Sequence, residues 1–379
     1  MKGKQGLVCM GLLLVLSSCS CHTGKQITAS GLQRKDFQTE VNGQHTDLFT
    51  LSNKQGMEVC ITNYGARVVS ILVPDRNGKR EDVVCGFSTI TEYMEQRQNF
   101  GSTVGRYIGR ILNARFTLDG VEYKLVPNNG KSGHISHGGN PGFADRIWKV
   151  EQADTHRACL SYLSPDGENG FPGNLKVTLV YSLGEDDNAL DLTYEATTDA
   201  PTVLNLSHHS FFNISGNFTK SVEDQQLWVD ADRFTPYDDK KCVTGEYLPV
   251  AGTPLDFRMP HTIGECIDAD HPQLKVVNGY DHTWELNTKG DDTRPAAWVY
   301  DPASGRKMEI FTTEPGMQIY TGNGLKGKMT GKRGIAYPFR SAVCFETMHF
   351  QDSPNQPGFP STVLRPGEVF RSHTVYKFE

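Results

Sequence analysis

Two neighbouring histidines in "VLNLSHHSFFN" (residues 203–213) and a lone glutamate in "SAVCFETMHF" (341–350) are the side chains best suited by type to move a proton. If residues 203–213 run as a strand, successive side chains point to opposite faces. Leu204, Leu206, His208 and Phe212 then share one face; Val203, Asn205, Ser207, His209 and Phe211 share the other. His208, among leucines, reads as a neutral packing residue. His209, on the more polar face, is the better candidate to line a cleft and act as acid or base. Glu346 alternates with Ala342, Cys344, Met348 and Phe350 on an apolar face. A carboxylate there is costly to bury, so it is either paired, with Arg340 for example, or kept at raised proton affinity as a general base.

Other motifs point away from metals and phosphates. "KSGHISHGGNPGF" places His134 and His137 on a glycine-rich loop. The pair lacks the following glutamate of H-E-x-x-H and has no third ligand near it, so no metal site is expected. "NFGSTVGRYIGRI" carries Gly101, Gly105 and Gly109 with Arg106 and Arg110, a spacing that fits neither a P-loop nor a dinucleotide fingerprint. Asp281 and His282 in "NGYDHTWEL" read as a solvated loop after a turn.

The elements that must position these groups are strands. "NLKVTLVYSL" and "ALDLTYEA" alternate apolar and polar residues, and "FTLDGVEYKL" is a hairpin joined by Asp119-Gly120. No segment sustains helical periodicity, and 38 glycines with 19 prolines supply turns along the whole chain. Residues 41–379 therefore read as one domain, an all-β fold built as a large antiparallel β-sandwich. The net charge of −6, with no basic block, excludes a nucleic-acid partner.

Residues 1–18 have the form of a secretory leader: lysines, an apolar run too short to span a membrane, then small residues. The end of the leader, "LSSC", resembles a bacterial lipobox. This predicts lipidation at Cys19, a polar tether over 19–40, export, and a membrane contact only through that lipid. The remaining cysteines, from Cys60 to Cys344, show neither C-x-x-C nor metal spacing and read mostly as small core residues.

The order of the motifs carries more than any one of them. "GRYIGRI", "SHGGNPGFADRIW", "SHHSFFN", "NGYDHTW", "EPGMQIYTGN" and "CFETMHFQDSPNQPGFPSTVLRPGE" together resemble the aldose 1-epimerase (galactose mutarotase) family from about residue 40 to the C-terminus. The resemblance implies a galactose mutarotase-like supersandwich with no cofactor, whose partner is a small aldose sugar. It further implies Glu346 as general base, His209 as general acid and His137 assisting beside the ring. Arg110, Asp281 and Gln318 fall at the family's substrate-binding positions. One departure is Gly109, where many relatives carry asparagine, which leaves substrate preference open. The rival functions are a non-catalytic sugar-binding lipoprotein and a sugar-phosphate epimerase, the latter needing a cluster of cations. A glycosidase would need two carboxylates across the scissile bond.

Overall fold

The computed structural model describes residues 26–379. Its backbone is a sandwich of antiparallel sheets. A nine-stranded sheet runs in the order Lys149–Ala153, Arg157–Ser164, Leu175–Leu183, Ala189–Thr198, Phe370–Phe378, Lys307–Thr312, Ala297–Tyr300, Gln226–Val229 and His261–Thr262. Facing it is a six-stranded sheet of Phe211–Phe212, Val343–Met348, Gly316–Tyr320, Asp281–Glu285, Arg233–Thr235 and Leu248–Pro249. A four-stranded sheet, Leu48–Ser52 through Arg80–Asp82, completes that layer. The expected all-β sandwich is what forms. Among the described residues the two α-helices, Ile90–Gln96 and Pro272–Val277, are short.

Alternation explains the layers. Along Leu175–Leu183 every second residue is buried, so Leu175, Val177, Leu179, Tyr181 and Leu183 face the core. They pack with Leu190, Leu192 and Tyr376 of the same sheet and with Val59, Ile61, Phe212, Trp284, Ile319 and Phe345 opposite. Each such side chain contributes about 1.5–3 kcal/mol on burial. Polar tips that enter the core are satisfied by carbonyls across the layer: Tyr376 Oη donates to Phe345 O at 3.1 Å and Tyr181 Oη to Ala66 O at 2.7 Å. The expected hairpin pairs Leu118 with Val121.

Two expectations change. The tether predicted over 19–40 is already part of the fold from residue 26. The Glu58 carboxylate accepts the amides of Ala29 (2.9 Å) and Ser30 (3.0 Å), and Phe37 is fully buried. A polar stretch is held here by backbone hydrogen bonds to a buried carboxylate, which composition does not reveal. Residues 203–213 do not form one strand but three short pieces, Thr202–Val203, Ser207–His209 and Phe211–Phe212, each paired with a different partner. The cysteines at 60, 85 and 344 are buried, those at 159, 242 and 266 half-buried, and all six are free.

Candidate active site

The six-stranded sheet sorts its side chains by parity. In Val343–Met348, Phe345 stacks toward Phe212 and Thr347 reaches Thr374 of the opposite sheet, so Glu346 and Met348 point the other way. In the adjoining strand Gln318 lies directly across from Glu346, and Asp281 comes from the next strand along. These outward residues floor a cleft of about 250 Å³. Asp281, expected in a solvated loop, begins a strand, and burial raises its carboxyl above the usual range against the pull of Arg110 and Gln318.

Loops wall the cleft. Arg110–Ile111 pairs with Ile135–Ser136, and the His137 amide donates to the Gly109 carbonyl at 2.9 Å, so one ribbon delivers both Arg110 and His137. The glycine after His137 is required. At Gly138, φ is +77° and a β-carbon would lie 2.0 Å from the Gly105 carbonyl oxygen, so only glycine lets the loop close on its neighbour. His134, the other histidine of this loop, turns away: its Nδ1 accepts the Asn113 amide at 2.9 Å and its Nε2 meets Cys242 Sγ at 3.2 Å.

His209 sits on Ser207–His209, hydrogen-bonded to Ser102–Val104, with its ring stacked 5.1 Å from Phe211. Its Nε2 is 3.5 Å from Glu346 Oε1, and both residues are 5% exposed or less. His137 stands edge-on to it at 5.4 Å. His208 faces the core between Tyr181 and Tyr376, with Nε2 2.6 Å from Ser210 Oγ. Arg340, weighed above as a partner for Glu346, instead binds Glu223 and Asp268, each at 2.7 Å.

Electrostatics follow from burial. Glu346 is pushed well above the carboxylate range by burial and by Asp281, while Arg110 pulls it back. His209 is lowered to about 4, chiefly by burial, and His137 to about 3 by burial, His209 and Arg110. Burial acts against the Arg110 guanidinium, but Tyr237 and Asp281 outweigh it and keep the group charged. One donor atom each of His137, His209 and Glu346 lie within 4.8 Å of one another, close enough to converge on a small cation.

Around this core runs an amide network of which the sequence flagged only Gln318 and Asp281. Gln318 Nε2 donates to Asp281 Oδ1 at 2.7 Å and to Tyr237 Oη at 3.4 Å. Its Oε1 accepts from Thr283 Oγ1 at 2.5 Å and from Gln351 Nε2 at 3.3 Å. Gln351 also donates to Tyr237 Oη at 2.7 Å. Tyr237 and Gln351 come from loops without periodic pattern; Gln351 lies inside the "CFETMHFQDSPNQPGF" motif, but no spacing there marks it as a site residue.

The family model for aldose 1-epimerases matches residues 47–377. The chain belongs to the aldose 1-epimerase family. It is 39% identical to the galactose mutarotase of Sus scrofa over 87% of this chain and 93% of that one. With the aldose 1-epimerase of Escherichia coli it shares 36% identity over 89% of this chain and 96% of the relative. Among solved structures, the aldose epimerase homologue from C. elegans superposes with a TM-score of 0.81 at 30% identity, covering 88% of this chain and 99% of that one. As a member of this family the protein is an isomerase that interconverts the anomers of aldoses.

The comparisons also correct one expectation. The relatives include galactose mutarotases of pig, cattle and human, and the aldose 1-epimerase match begins only at residue 47. The inference of an exported, membrane-anchored bacterial lipoprotein rested on the leader alone and is withdrawn. Residues 1–18 and Cys19, on which that expectation fell, lie outside the described residues.

Proposed function

We propose that this aldose 1-epimerase acts on free aldohexoses such as glucose and galactose, with Glu346 and His209 as its acid–base pair. The relatives named galactose mutarotase support galactose as one substrate. The observation that carries the reading is the 3.5 Å approach of His209 Nε2 to Glu346 Oε1 at the floor of a sugar-sized cleft. Ring opening needs a base at the anomeric hydroxyl and an acid at the ring oxygen. Glu346 takes the first proton, His209 delivers the second, and the C1–O5 bond breaks to leave the aldehyde. Rotation about C1–C2 and closure, with both protons moving back, give the other anomer.

The proton count closes without any outside donor. Glu346 raised and His209 lowered mean that a single proton shared by the pair sits on the carboxyl. That is the distribution met by the open-chain aldehyde, where Glu346 is protonated and His209 neutral. A cyclic sugar reacts with the alternative distribution, in which the proton sits on His209 and the carboxylate is ionised. Arg110, by favouring ionised Glu346, brings the two distributions closer in energy. Each positioned group contributes roughly a hundred- to ten-thousand-fold.

His137 lies beside the pair as a neutral hydrogen-bonding group, Arg110 and Asp281 hold the sugar hydroxyls, and Gln318 supports the binding floor by fixing Asp281 through its amide. A sugar-phosphate substrate is disfavoured because Arg110 is the one Arg or Lys among the described residues lining the cleft. Polarimetry on freshly dissolved α-glucose and α-galactose tests the reading. Accelerated decay of rotation to the equilibrium value is expected, and decay at the spontaneous rate for every aldose tried would overturn it.

A further inference from the structure

We propose that Gln351, seated in the space left by Gly109, is a sugar-binding side chain that sets which aldose the cleft prefers. The inference rests on the cleft being the sugar site. It starts at Gly109, whose φ is +75° and which immediately precedes Arg110. A β-carbon there would stand 2.6 Å from Gln351 Cγ, 3.1 Å from Cδ and 3.4 Å from Cβ. The stem of Gln351 thus fills the volume a side chain at 109 would claim, and the two positions form one device. The backbone fixes the device independently of either side chain. The Asp352 amide donates to the Arg110 carbonyl at 2.8 Å, and the Leu112 amide to Asp352 Oδ1 at 3.0 Å.

Counting hydrogen bonds shows which amide still has capacity. A glutamine offers two N–H donors and two acceptor sites. Gln318 uses all four, on Asp281, Tyr237, Thr283 and Gln351. Gln351 spends both donors on Tyr237 (2.7 Å) and Gln318 (3.3 Å), while its Oε1 accepts only the Arg110 amide, at 3.3 Å, among the described residues. Gln351 is 4% exposed and lies on the cleft wall. A second acceptor site on a nearly buried carbonyl, facing a cleft that takes sugars, is suited to one sugar hydroxyl. That contact discriminates: an aldose whose hydroxyl is missing or inverted leaves the second acceptor site of the carbonyl unfilled.

The variant Gln351→Met keeps the stem over Gly109 and removes the amide. Calorimetric Kd values, with polarimetric KM and kcat, are measured for glucose, galactose, mannose, xylose, fucose and 2-deoxyglucose. The expected result is a rise in Kd and KM of roughly two- to tenfold, the range of one neutral hydrogen bond, for sugars bearing the contacted hydroxyl. At least one epimeric or deoxy sugar should be unaffected, and kcat should stay within about threefold. Equal weakening for every sugar, or a fall in kcat with Kd unchanged, would overturn the proposal. A second variant tests the shared volume. Gly109→Asn, a residue that tolerates positive φ, should lose at least about tenfold in affinity on its own and regain part of it when Gln351→Gly frees the shared volume. Full affinity in the single variant would overturn the proposal. Sugar-selective changes in Kd without any anomer exchange in the unmutated protein would support this inference while removing the catalytic reading.

Discussion

Replacing His208 by glutamine should narrow the stability gap to the unmutated protein as the solution is acidified, because His208 must stay neutral to stay folded. Its ring is 2% exposed, and burial, with His209 and Arg67 nearby, lowers it to about 3. In the unfolded chain the imidazole titrates near 6.5. The folded value is depressed, so the stability tied to this group is present above the unfolded value and is lost as pH falls toward the folded one. Between pH 7 and 5 the unfolded imidazole goes from mostly neutral to almost fully protonated while the folded one does not change. This costs the native state about 2 kcal/mol. At pH 7 the variant should be the less stable by about 1–3 kcal/mol, from the lost bond to Ser210 and imperfect packing on Tyr181 and Tyr376. At pH 5 that gap should shrink by about 2 kcal/mol. Urea unfolding of both proteins at fixed pH values measures it. Parallel stability curves across this range would refute the placing of a neutral, buried histidine at 208.

The neighbouring position behaves differently. His209→Gln should lower anomer exchange at least about a hundredfold with native circular dichroism, and turnover within about threefold of normal would remove it as the acid. The pH profile reports the shared proton. Exchange should fall on the acid side as His209, lowered to about 4, takes a second proton, and on the alkaline side as Glu346, raised above the usual carboxylate range, loses the shared one. Activity already halved at pH 6 would mean that Glu346 titrates alone.

Much of this architecture could be read from alternation. The strands at 175–183 and 189–198 and the hairpin at 115–124 lie where their patterns put them, since one face of each is buried. The order of strands within the sheets could not be read, because it is set by contacts between distant segments, such as Ala189–Thr198 with Phe370–Phe378. The parity argument separates His208 from His209, although the run that carries them breaks into three pieces whose partners differ. The two arginines of "GRYIGRI" show where pattern stops. Arg110 reaches the cleft, whereas Arg106 is buried and donates to the carbonyls of Pro172 (2.7 Å) and Gly173 (3.0 Å) and to Ser164 Oγ (2.6 Å). Their spacing of four holds no information on this, because the backbone between them follows neither helix nor strand. Gln351 and Tyr237 enter the site from loops for the same reason.

Glu346→Gln tests the central claim most directly. The substitution keeps the volume and a hydrogen bond to the sugar but removes the ability to take the anomeric proton. Polarimetric turnover and calorimetric sugar binding are measured on one preparation. The predicted result is sugar affinity within a few-fold of the unmutated protein and anomer exchange slower by at least about a hundredfold. Exchange at a near-normal rate with intact binding would contradict Glu346 as the base.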